Sequence, residues 1–593
     1  MHPQAAIGKP GRRMADTSRR RTEPYGAADT TARPAGATAI RTNLLLPDQA
    51  RWPADPASPV IRLRGVTKRF GQATVLDGLD LDVPTGLTTV VAGKSGTGKS
   101  VLLKLMNGLL LPDEGRVELF GEDTRAMSPE RLLVLRKRVT MMFQSYALLD
   151  SLTVMENVAF PLYENTRMAW RDVEPLVRDL LSTLELDHAR MKLPSELSGG
   201  MKKRVSLARA VITNPEVVLF DEPTTGLDPI MIEFVDKMIR QTRERFGITS
   251  VIISHDMTST LNLADRVAML EGGRISVVGT VDEVLASGRD LVKVFFSGVG
   301  RLDKSDDEEP AGQGGAGVTA TPTVAPRVWT LGPDERALAV LEGVHKHFGP
   351  HHVLKGVDLV VPKDKITVLI GGSGSGKSVI MKHIIGLFRP DSGSVNVFGL
   401  DLAELSEKDL LKLRERYGMV FQGAALLDAL SVRDNIAFPL RERGLRAAEV
   451  RERTDEMLEK LRLTEIARRM PSDISNGQRK RVGLARAIVP RPELIIYDEP
   501  TTGQDPVLAR HLDDMIVEAQ ELFDITSLVV SHDMPSAFRV ADQIAMLDRG
   551  TILAAGAPDV LLAVDDPRVR RFIFAGTEEG ERAARELESL SAG

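Results

Sequence analysis

The chain has 593 residues, of which 42% are hydrophobic and 27% charged, with a formal net charge of −5 and no cysteine. Its length exceeds what one hydrophobic core normally serves, so we expect several domains. The slight acidic excess argues against a nucleic-acid-binding protein, because phosphate backbones are held by surplus Lys and Arg, and the absence of cysteine excludes a disulfide framework, a thiolate metal site and a cysteine nucleophile.

The first segment, residues 1–58, is polar and rich in Ala, Thr, Gly and Pro, with a basic run at 19–21 but no apolar core of a signal peptide. We predict a flexible leader, with a cleaved targeting segment or a partner-binding arm as alternatives. No stretch of the chain approaches the roughly 18 to 20 apolar residues of a membrane-spanning helix. We therefore expect a protein that does not cross a bilayer by itself.

From residue 59 onward, short apolar runs alternate with helical stretches. The predicted strand–helix pairs are 88–93 with 98–110, 216–222 with 229–246, and 249–256 with 257–267. Such alternation predicts an α/β fold with a mostly parallel sheet covered by helices. The charged stretches 165–195 and 443–472 are mainly helical in pattern, which is typical of an inserted helical subdomain.

The sequence contains the same unit twice, as an internal repeat. Residues 90–121 are similar to 368–399, residues 217–229 are similar to 494–506, and Lys99 and Lys377 lie 278 positions apart. Between the copies, 305–327 is acidic and then Gly-, Thr- and Pro-rich, a composition that does not bury enough apolar surface to order itself. We predict a leader (1–58), a first domain (59–300), a flexible linker (301–335), a second domain (336–580) and a C-terminal tail (581–593).

Each unit contains one glycine-rich phosphate loop of the pattern G-x-x-x-x-G-K-[ST], also called Walker A. In such a loop, backbone N–H groups surround phosphate oxygens, Lys contacts the outer phosphates and the Ser hydroxyl binds Mg²⁺. A chance glycine-rich turn is the alternative, but the pattern occurs in both units, each time between a strand and a helix. The predicted ATP-binding residues are Gly93, Ser95, Gly96, Gly98, Lys99 and Ser100 in the first unit, and Gly371, Ser373, Gly374, Gly376, Lys377 and Ser378 in the second.

Two carboxylates follow an apolar strand in each unit, Asp221-Glu222 and Asp498-Glu499. We predict that each Asp holds Mg²⁺ through water, and that each Glu, as the catalytic base, accepts a proton from the attacking water. A lone Asp-Glu pair is more often a solvated loop; the phosphate loop upstream favours the catalytic interpretation.

A histidine ends another apolar strand in each unit, His255 and His532. A solitary His in such a position is more often structural. The paired copies, about 33 residues after each candidate base, instead favour a contact to the γ-phosphate, and we count both histidines among the catalytic residues.

Together these motifs resemble the nucleotide-binding domains of ATP-binding cassette (ABC) transporters over nearly all of both units. The resemblance implies two tandem P-loop NTPase domains, each with an antiparallel β portion and a helical subdomain, that bind ATP and Mg²⁺. It also implies that Phe70 and Phe348 stack on adenine; the alternative is that both are core residues. Gln144 and Gln422 would contact Mg²⁺ and sense the γ-phosphate, and Asp228 and Asp505 would be the D-loop carboxylates. The implied signature motifs are Ser198, Gly199 and Gly200 in the first unit and Ser475, Asn476 and Gly477 in the second.

In this family the signature of one domain completes the ATP site of another, which implies an intramolecular pseudo-dimer with two composite sites. Site one joins Lys99, Glu222 and His255 to Ser475 and Gly477. Site two joins Lys377, Glu499 and His532 to the signature of the first unit, Ser198, Gly199 and Gly200. Asn476 replaces the first glycine of the family signature, so we expect site one to bind ATP but to hydrolyse it more slowly than site two.

The passages 143–162, 193–210, 501–506 and 565–573 resemble the ATPase subunits of Mla- and Mce-type lipid transporters. The resemblance implies a cytoplasmic protein, peripheral on the inner face of the cell membrane. It would pair with integral-membrane permeases and with a substrate-binding or Mce-type protein, and would move phospholipid, sterol or another hydrophobic solute. These relatives usually carry one domain per chain and a different signature from "ISNGQ", which leaves the cargo and its direction open.

The passage 143–162 and its copy 421–440 lie, in the family, beside the groove that receives a permease helix. In the alternative interpretation its apolar residues, Leu148, Leu149, Val154, Val158 and Phe160, belong to the core. Two other functions stay open: a soluble twin-cassette ATPase acting on ribosomes or in translation, and the tandem ATPase of a sugar importer. The translation factors usually separate their cassettes with a long, charged helical linker, and the Gly-, Thr- and Pro-rich composition of 305–327 argues against that function.

Overall fold

The structure, a computed structural model, describes residues 59–143, 146–296, 331 and 335–591. The predicted leader and nearly all of the predicted linker lie outside the described residues, as does Gln144. The described part contains two copies of one arrangement, which we call cassette 1 (59–296) and cassette 2 (335–591). This is the α/β architecture of two tandem domains that the sequence predicts.

Cassette 1 contains two sheets. The antiparallel sheet has the strand order β2-β1-β4-β5, and the six-stranded sheet has the order β10-β9-β3-β8-β7-β6. In the second sheet β9, β3, β8, β7 and β6 are parallel, and β10 pairs antiparallel with β9. The strands are β1 (Pro59–Phe70), β2 (Ala73–Pro84), β3 (Thr88–Ala92), β4 (Glu114–Leu119), β5 (Glu122–Asp123), β6 (Val139–Met142), β7 (Val217–Asp221), β8 (Thr249–Ile253), β9 (Arg266–Glu271) and β10 (Arg274–Gly279).

The helices of cassette 1 cover the six-stranded sheet and form a helical subdomain in the region where the sequence predicts one. They are α1 (Lys99–Met106), α2 (Pro129–Arg136), α3 (Val154–Asn165), α4 (Trp170–Thr183), α5 (Gly199–Val211), α6 (Pro229–Phe246), α7 (Met257–Leu263), α8 (Val281–Ala286) and α9 (Asp290–Phe296). Short 3₁₀ turns at Asp187–Ala189 and Pro194–Glu196 connect α4 to α5.

Cassette 2 repeats both sheets, with the orders β12-β11-β14-β15 and β16-β17-β18-β13-β19-β20. Its strands are β11 (Ala337–Phe348), β12 (His351–Pro362), β13 (Ile366–Ile370), β14 (Ser392–Val397), β15 (Leu400–Asp401), β16 (Tyr417–Val420), β17 (Leu494–Asp498), β18 (Thr526–Val530), β19 (Gln543–Asp548) and β20 (Thr551–Gly556). Its helices are α10 (Lys377–Ile384), α11 (Glu407–Arg414), α12 (Val432–Glu442), α13 (Ala447–Lys460), α14 (Asn476–Ile488), α15 (Pro506–Phe523), α16 (Met534–Val540), α17 (Pro558–Leu562), α18 (Pro567–Ile573) and α19 (Glu578–Ser591).

The central strands explain where the motifs meet. β3 and β8 are buried along their whole length, as is β7 up to its final Asp221. Continuous apolar runs of this kind suit parallel strands covered by helices on both faces. Because the carboxyl ends of parallel strands lie at one edge of the sheet, the phosphate loop after β3, the carboxylates after β7 and the histidine after β8 meet there.

The two cassettes exchange contacts through their terminal segments. Helix α9 of cassette 1 packs against α15 of cassette 2, and α18 of cassette 2 packs against α6 of cassette 1. A side chain on Gly576 would come 2.7 Å from Thr258 Cγ2, so the end of cassette 2 lies close against cassette 1. No helix in the described ranges is long and apolar enough to cross a bilayer.

Candidate nucleotide sites

In each phosphate loop, the glycine before the lysine has a backbone conformation and surroundings that do not accommodate a side chain. Gly98 precedes α1 with a φ of 100°, and a Cβ there would lie 2.8 Å from Val75 Cγ1. Gly376 has a φ of 113° before α10. No side chain of the described residues caps α1 or α10. The N–H groups at these helix starts thus remain available to an anion such as a phosphate.

The phosphate-loop lysines are buried inside their loops. Lys99 Nζ donates to the carbonyl oxygens of Gly93 at 2.7 Å and of Lys94 at 2.8 Å. Lys377 Nζ donates in the same way to Gly371 at 2.7 Å and to Gly372 at 3.1 Å. Burial lowers the pKa of Lys99, although Glu222, Asp505 and Asp221 oppose that shift. The ammonium group is therefore held where the loop would surround phosphates.

A hydroxyl and a carboxylate suited to Mg²⁺ lie side by side in cassette 1. Ser100 Oγ donates to Asp221 Oδ1 at 3.3 Å. Burial, followed by the neighbouring Glu222, raises the pKa of Asp221, and the pKa of Asp498 is raised in the same way by burial and Glu499. Among the described residues, no group of three or more His, Cys, Asp or Glu side chains could hold a metal ion. This donor set fits Mg²⁺, which commonly takes one or two carboxylates, waters and substrate phosphates.

The candidate bases have an unusual backbone. Glu222 and Glu499 have φ values of 50° and 48°, a left-handed conformation that costs a non-glycine residue about 1 to 3 kcal/mol. The amide of Glu222 donates to the carbonyl of Ile253 at 3.0 Å, which ties this turn to β8. The equivalent amide of Glu499 donates to Val530 at 2.9 Å. The two cassettes share this left-handed backbone here, as they also do at Phe120 and Phe398.

A histidine and a threonine hold each base. His255 Nδ1 lies 3.5 Å from Glu222 Oε1, and Thr225 Oγ1 donates to Glu222 Oε2 at 3.0 Å. In cassette 2, His532 Nδ1 lies 3.4 Å from Glu499 Oε1. Burial raises the pKa of Glu222, but the hydrogen bond and charge of His255, with Thr225 and Lys99, outweigh burial and lower this pKa below its usual value. The carboxylate is thus ionised at neutral pH, as a base requires.

The D-loops, 224–228 and 501–505, connect each cassette to the phosphate loop of the other. Asp505 Oδ2 accepts from the backbone N–H of Ser95 at 2.9 Å, and Asp228 Oδ2 accepts from that of Ser373 at 2.8 Å. The other oxygen of each carboxylate caps its own helix, α15 or α6. Together with His255 and His532, the D-loops line a cavity of about 1330 Å³ between the cassettes.

The predicted aromatic residues end the first strand of each cassette. Phe70 is 48% exposed and Phe348 is 40% exposed, so the alternative of core residues is wrong for both. Lys68 Nζ lies 5.7 Å from the Phe70 ring centroid. Their stacking on adenine stays a prediction, supported by this exposure.

The signature motifs begin α5 and α14. The side chains of Ser198 and Ser475 cap these helices by accepting from the amides of Met201 and Gln478. Among the hydrogen bonds of the described residues, none joins either serine to the opposite phosphate loop. Gln422 is exposed and lies two residues after the end of β16, and its backbone carbonyl accepts from Lys480 Nζ.

Sequence reasoning missed a buried lysine behind each signature. Lys203 Nζ donates to the carbonyls of Pro223 and Thr225, in the loop after Glu222, and Lys480 Nζ donates to Pro500. Both side chains are 2% exposed, and burial lowers both pKa values to about 8. Lys203 shares a helical face with Leu207, Ala210 and Val211, a periodicity that would have indicated its burial. These lysines fix the loops between the candidate bases and the D-loops.

The repeated passage contains a fully buried asparagine in each cassette. Asn157 Nδ2 donates to the carbonyls of Leu149, Leu152 and Thr153, and Asn157 Oδ1 accepts from the amide of Leu149. Asn435 makes the same four bonds in cassette 2. The equivalent loops therefore have the same internal support.

The apolar residues of the passage divide into two groups. Val154 and Val158 are completely buried, so the core interpretation is right for them. Leu149 and Phe160 are each 38% exposed, and Leu148 is half-buried, so that interpretation is wrong for the exposed pair. We define the apolar surface of each cassette by its exposed side chains, which are Phe143, Leu149, Phe160 and Tyr163 in cassette 1 and Phe421, Leu427 and Phe438 in cassette 2.

Comparison with known proteins gives a family match in both cassettes. The model described as ABC transporter matches residues 76–225 and 354–502. A Photobacterium profundum protein named as an ABC transporter ATP-binding protein is 30% identical over 508 residues, covering 81% of this chain and 88% of that protein.

Single-cassette proteins are also similar. The intermembrane phospholipid transport system ATP-binding protein MlaF of Escherichia coli is 37% identical over 240 residues, covering 40% of this chain and 89% of MlaF. The Mycobacterium tuberculosis protein named "Probable ribonucleotide transport ATP-binding protein mkl" is 39% identical over 252 residues, covering 42% of this chain and 69% of that protein. A solved dimeric structure of the ATP-binding cassette MJ0796 bound to ADP and Pi is 29% identical, covers 37% of this chain and 98% of that chain, and has a TM-score of 0.35.

Proposed function

We propose, from the premise that the chain belongs to the ABC transporter ATP-binding family and is an ATPase, that its ATP hydrolysis powers transport. The transported compound would be a hydrophobic solute that passes through a separately encoded permease. ATP-binding subunits of this family generally pair with membrane permeases. The observation that carries the proposal is that both cassettes expose apolar side chains at three equivalent positions, Phe143 and Phe421, Leu149 and Leu427, and Phe160 and Phe438. An equivalent buried asparagine donates to the backbone of each exposed leucine. We further propose that the protein is peripheral on the cytoplasmic face of the membrane.

The proposed motor closes two composite ATP sites within one chain. The paired bonds from Asp505 to Ser95 and from Asp228 to Ser373 support an intramolecular pseudo-dimer, because each phosphate loop is contacted by the other cassette. Both carboxylates are 4% exposed, so water competes little for these bonds. We propose that the signatures beginning at Ser198 and Ser475 complete sites two and one.

We propose the following roles for the residues of site one. Lys99 and the N–H groups at the start of α1 bind the phosphates of the substrate ATP. Ser100 and Asp221 hold Mg²⁺, which neutralises charge on the phosphate oxygens when it is bound. Glu222 accepts a proton from the attacking water, and His255 keeps the Glu222 carboxylate oriented and ionised. Lys377, Ser378, Asp498, Glu499 and His532 have the same roles in site two, and Gln422 and Gln144 are proposed to contact Mg²⁺.

The proposed cargo is a phospholipid, sterol or similar hydrophobic compound, with an Mce-type or substrate-binding protein as a further partner. The similarity of one cassette to MlaF supports this cargo, since MlaF is named for phospholipid transport. The mkl relative is named for ribonucleotide transport, which makes ribonucleotides the competing cargo.

The test is to purify the full chain from detergent-solubilised membranes and identify what accompanies it. We expect a membrane permease and, after reconstitution in vesicles, ATP-dependent movement of a fluorescent phospholipid. Leu149→Asp combined with Leu427→Asp, one in the apolar surface of each cassette, should abolish co-purification, whereas Leu522→Asp, at a 55% exposed leucine of α15, should not. Ribosome association without a permease would overturn the transport proposal. Movement of a ribonucleotide or a sugar instead of lipid would overturn the cargo.

A further inference from the structure

A hydrogen bond joins the signature of cassette 2 to its D-loop. Asn476 Nδ2 donates to Gln504 Oε1 at 3.1 Å. Gln504 Nε2 donates in turn to the carbonyl of Thr502, in the same loop, at 3.4 Å. The second bond orients the Gln504 amide so that its oxygen is directed towards Asn476.

Cassette 1 has neither partner of this bond. Glycine stands at position 199, where cassette 2 has Asn476, and leucine stands at 227, where cassette 2 has Gln504. Leu227 is 5% exposed and has no polar side-chain atom with which to make such a bond. The two cassettes thus differ at two positions whose side chains are in contact in cassette 2. Both polar residues, Asn476 and Gln504, occur in that cassette.

Gln504 is also the direct neighbour of the carboxylate that contacts the other cassette. Asp505 accepts from the amide of Ser95 in the phosphate loop of cassette 1. A continuous set of contacts therefore runs from Asn476 through Gln504 and Asp505 to Ser95. All four residues belong to the proposed site one.

We propose that Gln504 is a positioning residue that holds the Asn476 side chain against the D-loop and away from the nucleotide of site one. The inference rests on the proposed composite sites. Only glycine adds no atoms where the signature backbone approaches phosphate, so an unrestrained asparagine would occupy space that the nucleotide needs. A tethered asparagine leaves the N–H groups at the start of α14 accessible. The same tether restrains the loop that carries Asp505.

The test measures ATP binding at site one alone, using full-length chains with Lys377→Ala to prevent binding at site two. We expect Gln504→Leu to weaken binding of a fluorescent ATP analogue by roughly three- to tenfold, the size of one hydrogen bond. Asn476→Gly combined with Gln504→Leu recreates the pair of cassette 1 and should restore the affinity. In the matched control for site two, Leu227→Gln with Lys99→Ala, the affinity should not change, because Gly199 offers no partner.

A second readout needs no nucleotide. Hydrogen–deuterium exchange of residues 501–505 should become faster in Gln504→Leu and in Asn476→Gly, because the bond is present in the ligand-free chain. If the chain with Lys377→Ala binds no ATP, the proposed site one is wrong. If it binds ATP equally well with and without Gln504→Leu, and the exchange rates are equal, the positioning role of Gln504 is wrong.

Discussion

The buried carboxyl group of Asp236 should make the stability of cassette 1 fall as the pH rises. Asp236 lies on α6, is 3% exposed and accepts a hydrogen bond from Ser259 Oγ. Burial, with a smaller contribution from Asp256, raises the pKa of Asp236 to about 8. The folded chain therefore keeps this group protonated at pH values where the unfolded chain releases the proton. The perturbation is Asp236→Asn, which retains an acceptor for Ser259 but does not titrate.

The magnitude follows from proton linkage. A group whose pKa is raised by folding contributes stability at low pH and loses it as the pH rises through the folded value. With a folded pKa of about 8, the wild type should lose about 2.7 kcal/mol between pH 6 and pH 9 relative to Asp236→Asn, at about 1.36 kcal/mol per pH unit.

Asp513 of α15 provides an internal comparison. It is 4% exposed, Ser536 Oγ donates to its Oδ2 at 3.0 Å, and burial raises its pKa to about 7. Its folded pKa is about one unit lower, so Asp513→Asn should differ from the wild type by only about 1.4 kcal/mol over the same range. The pH-dependent losses of stability attributed to Asp236 and to Asp513 should thus be in a ratio of about two to one.

The assay is calorimetric unfolding at intervals from pH 6 to pH 9, with the exposed Asp428→Asn as a control. The difference between variant and wild type removes the titration of all other groups. Parallel stability curves for the wild type and Asp236→Asn across this range would refute the reasoning, because they would mean that Asp236 has no raised pKa in the folded chain.

Three further predictions concern the proposed sites and the apolar surface. Glu499→Gln should remove most of the steady-state ATPase activity, since a general base contributes about 10²–10⁴-fold, while Glu222→Gln should remove less; equal losses would contradict unequal sites. Asn435→Ala deletes the support of the 427–431 loop and should abolish stimulation by the permease while basal ATPase activity remains; unchanged stimulation would contradict a docking role. Asp505→Asn keeps an oxygen to cap α15 and should lower ATP affinity at site one by about tenfold, through loss of a charged acceptor; binding measured in the chain with Lys377→Ala checks this.

Much of the fold could be predicted because its central strands are continuous apolar runs and because the unit occurs twice. Burial on both faces requires such runs, as in β3 and β8, and repetition separates a motif from coincidence. The boundary predicted at 580 falls inside α19, which is largely polar and has the composition of a tail. Its Ala583 is nevertheless buried, since α19 packs against α18.

The hydrogen bonds from the D-loops to the opposite phosphate loops are not predictable from the sequence, although the family resemblance implies that the two cassettes meet. Asp505 and Ser95 are far apart in the chain, and no local pattern indicates that a carboxylate of one cassette meets an amide of the other. Asn476 departs visibly from the family signature, whereas Gln504 does not stand out in the sequence, because its significance depends on the hydrogen bond between them.

The presence of both cassettes on one polypeptide has an evolutionary consequence. In a symmetric homodimer every substitution appears in both halves at once, so a change that slows one half also slows its twin. Here one gene encodes two different halves, so each half can be substituted independently. A polar pair such as Asn476 and Gln504 can therefore arise in one cassette while the glycine and leucine of the other cassette persist. Natural selection can therefore specialise one half for retention and the other for turnover.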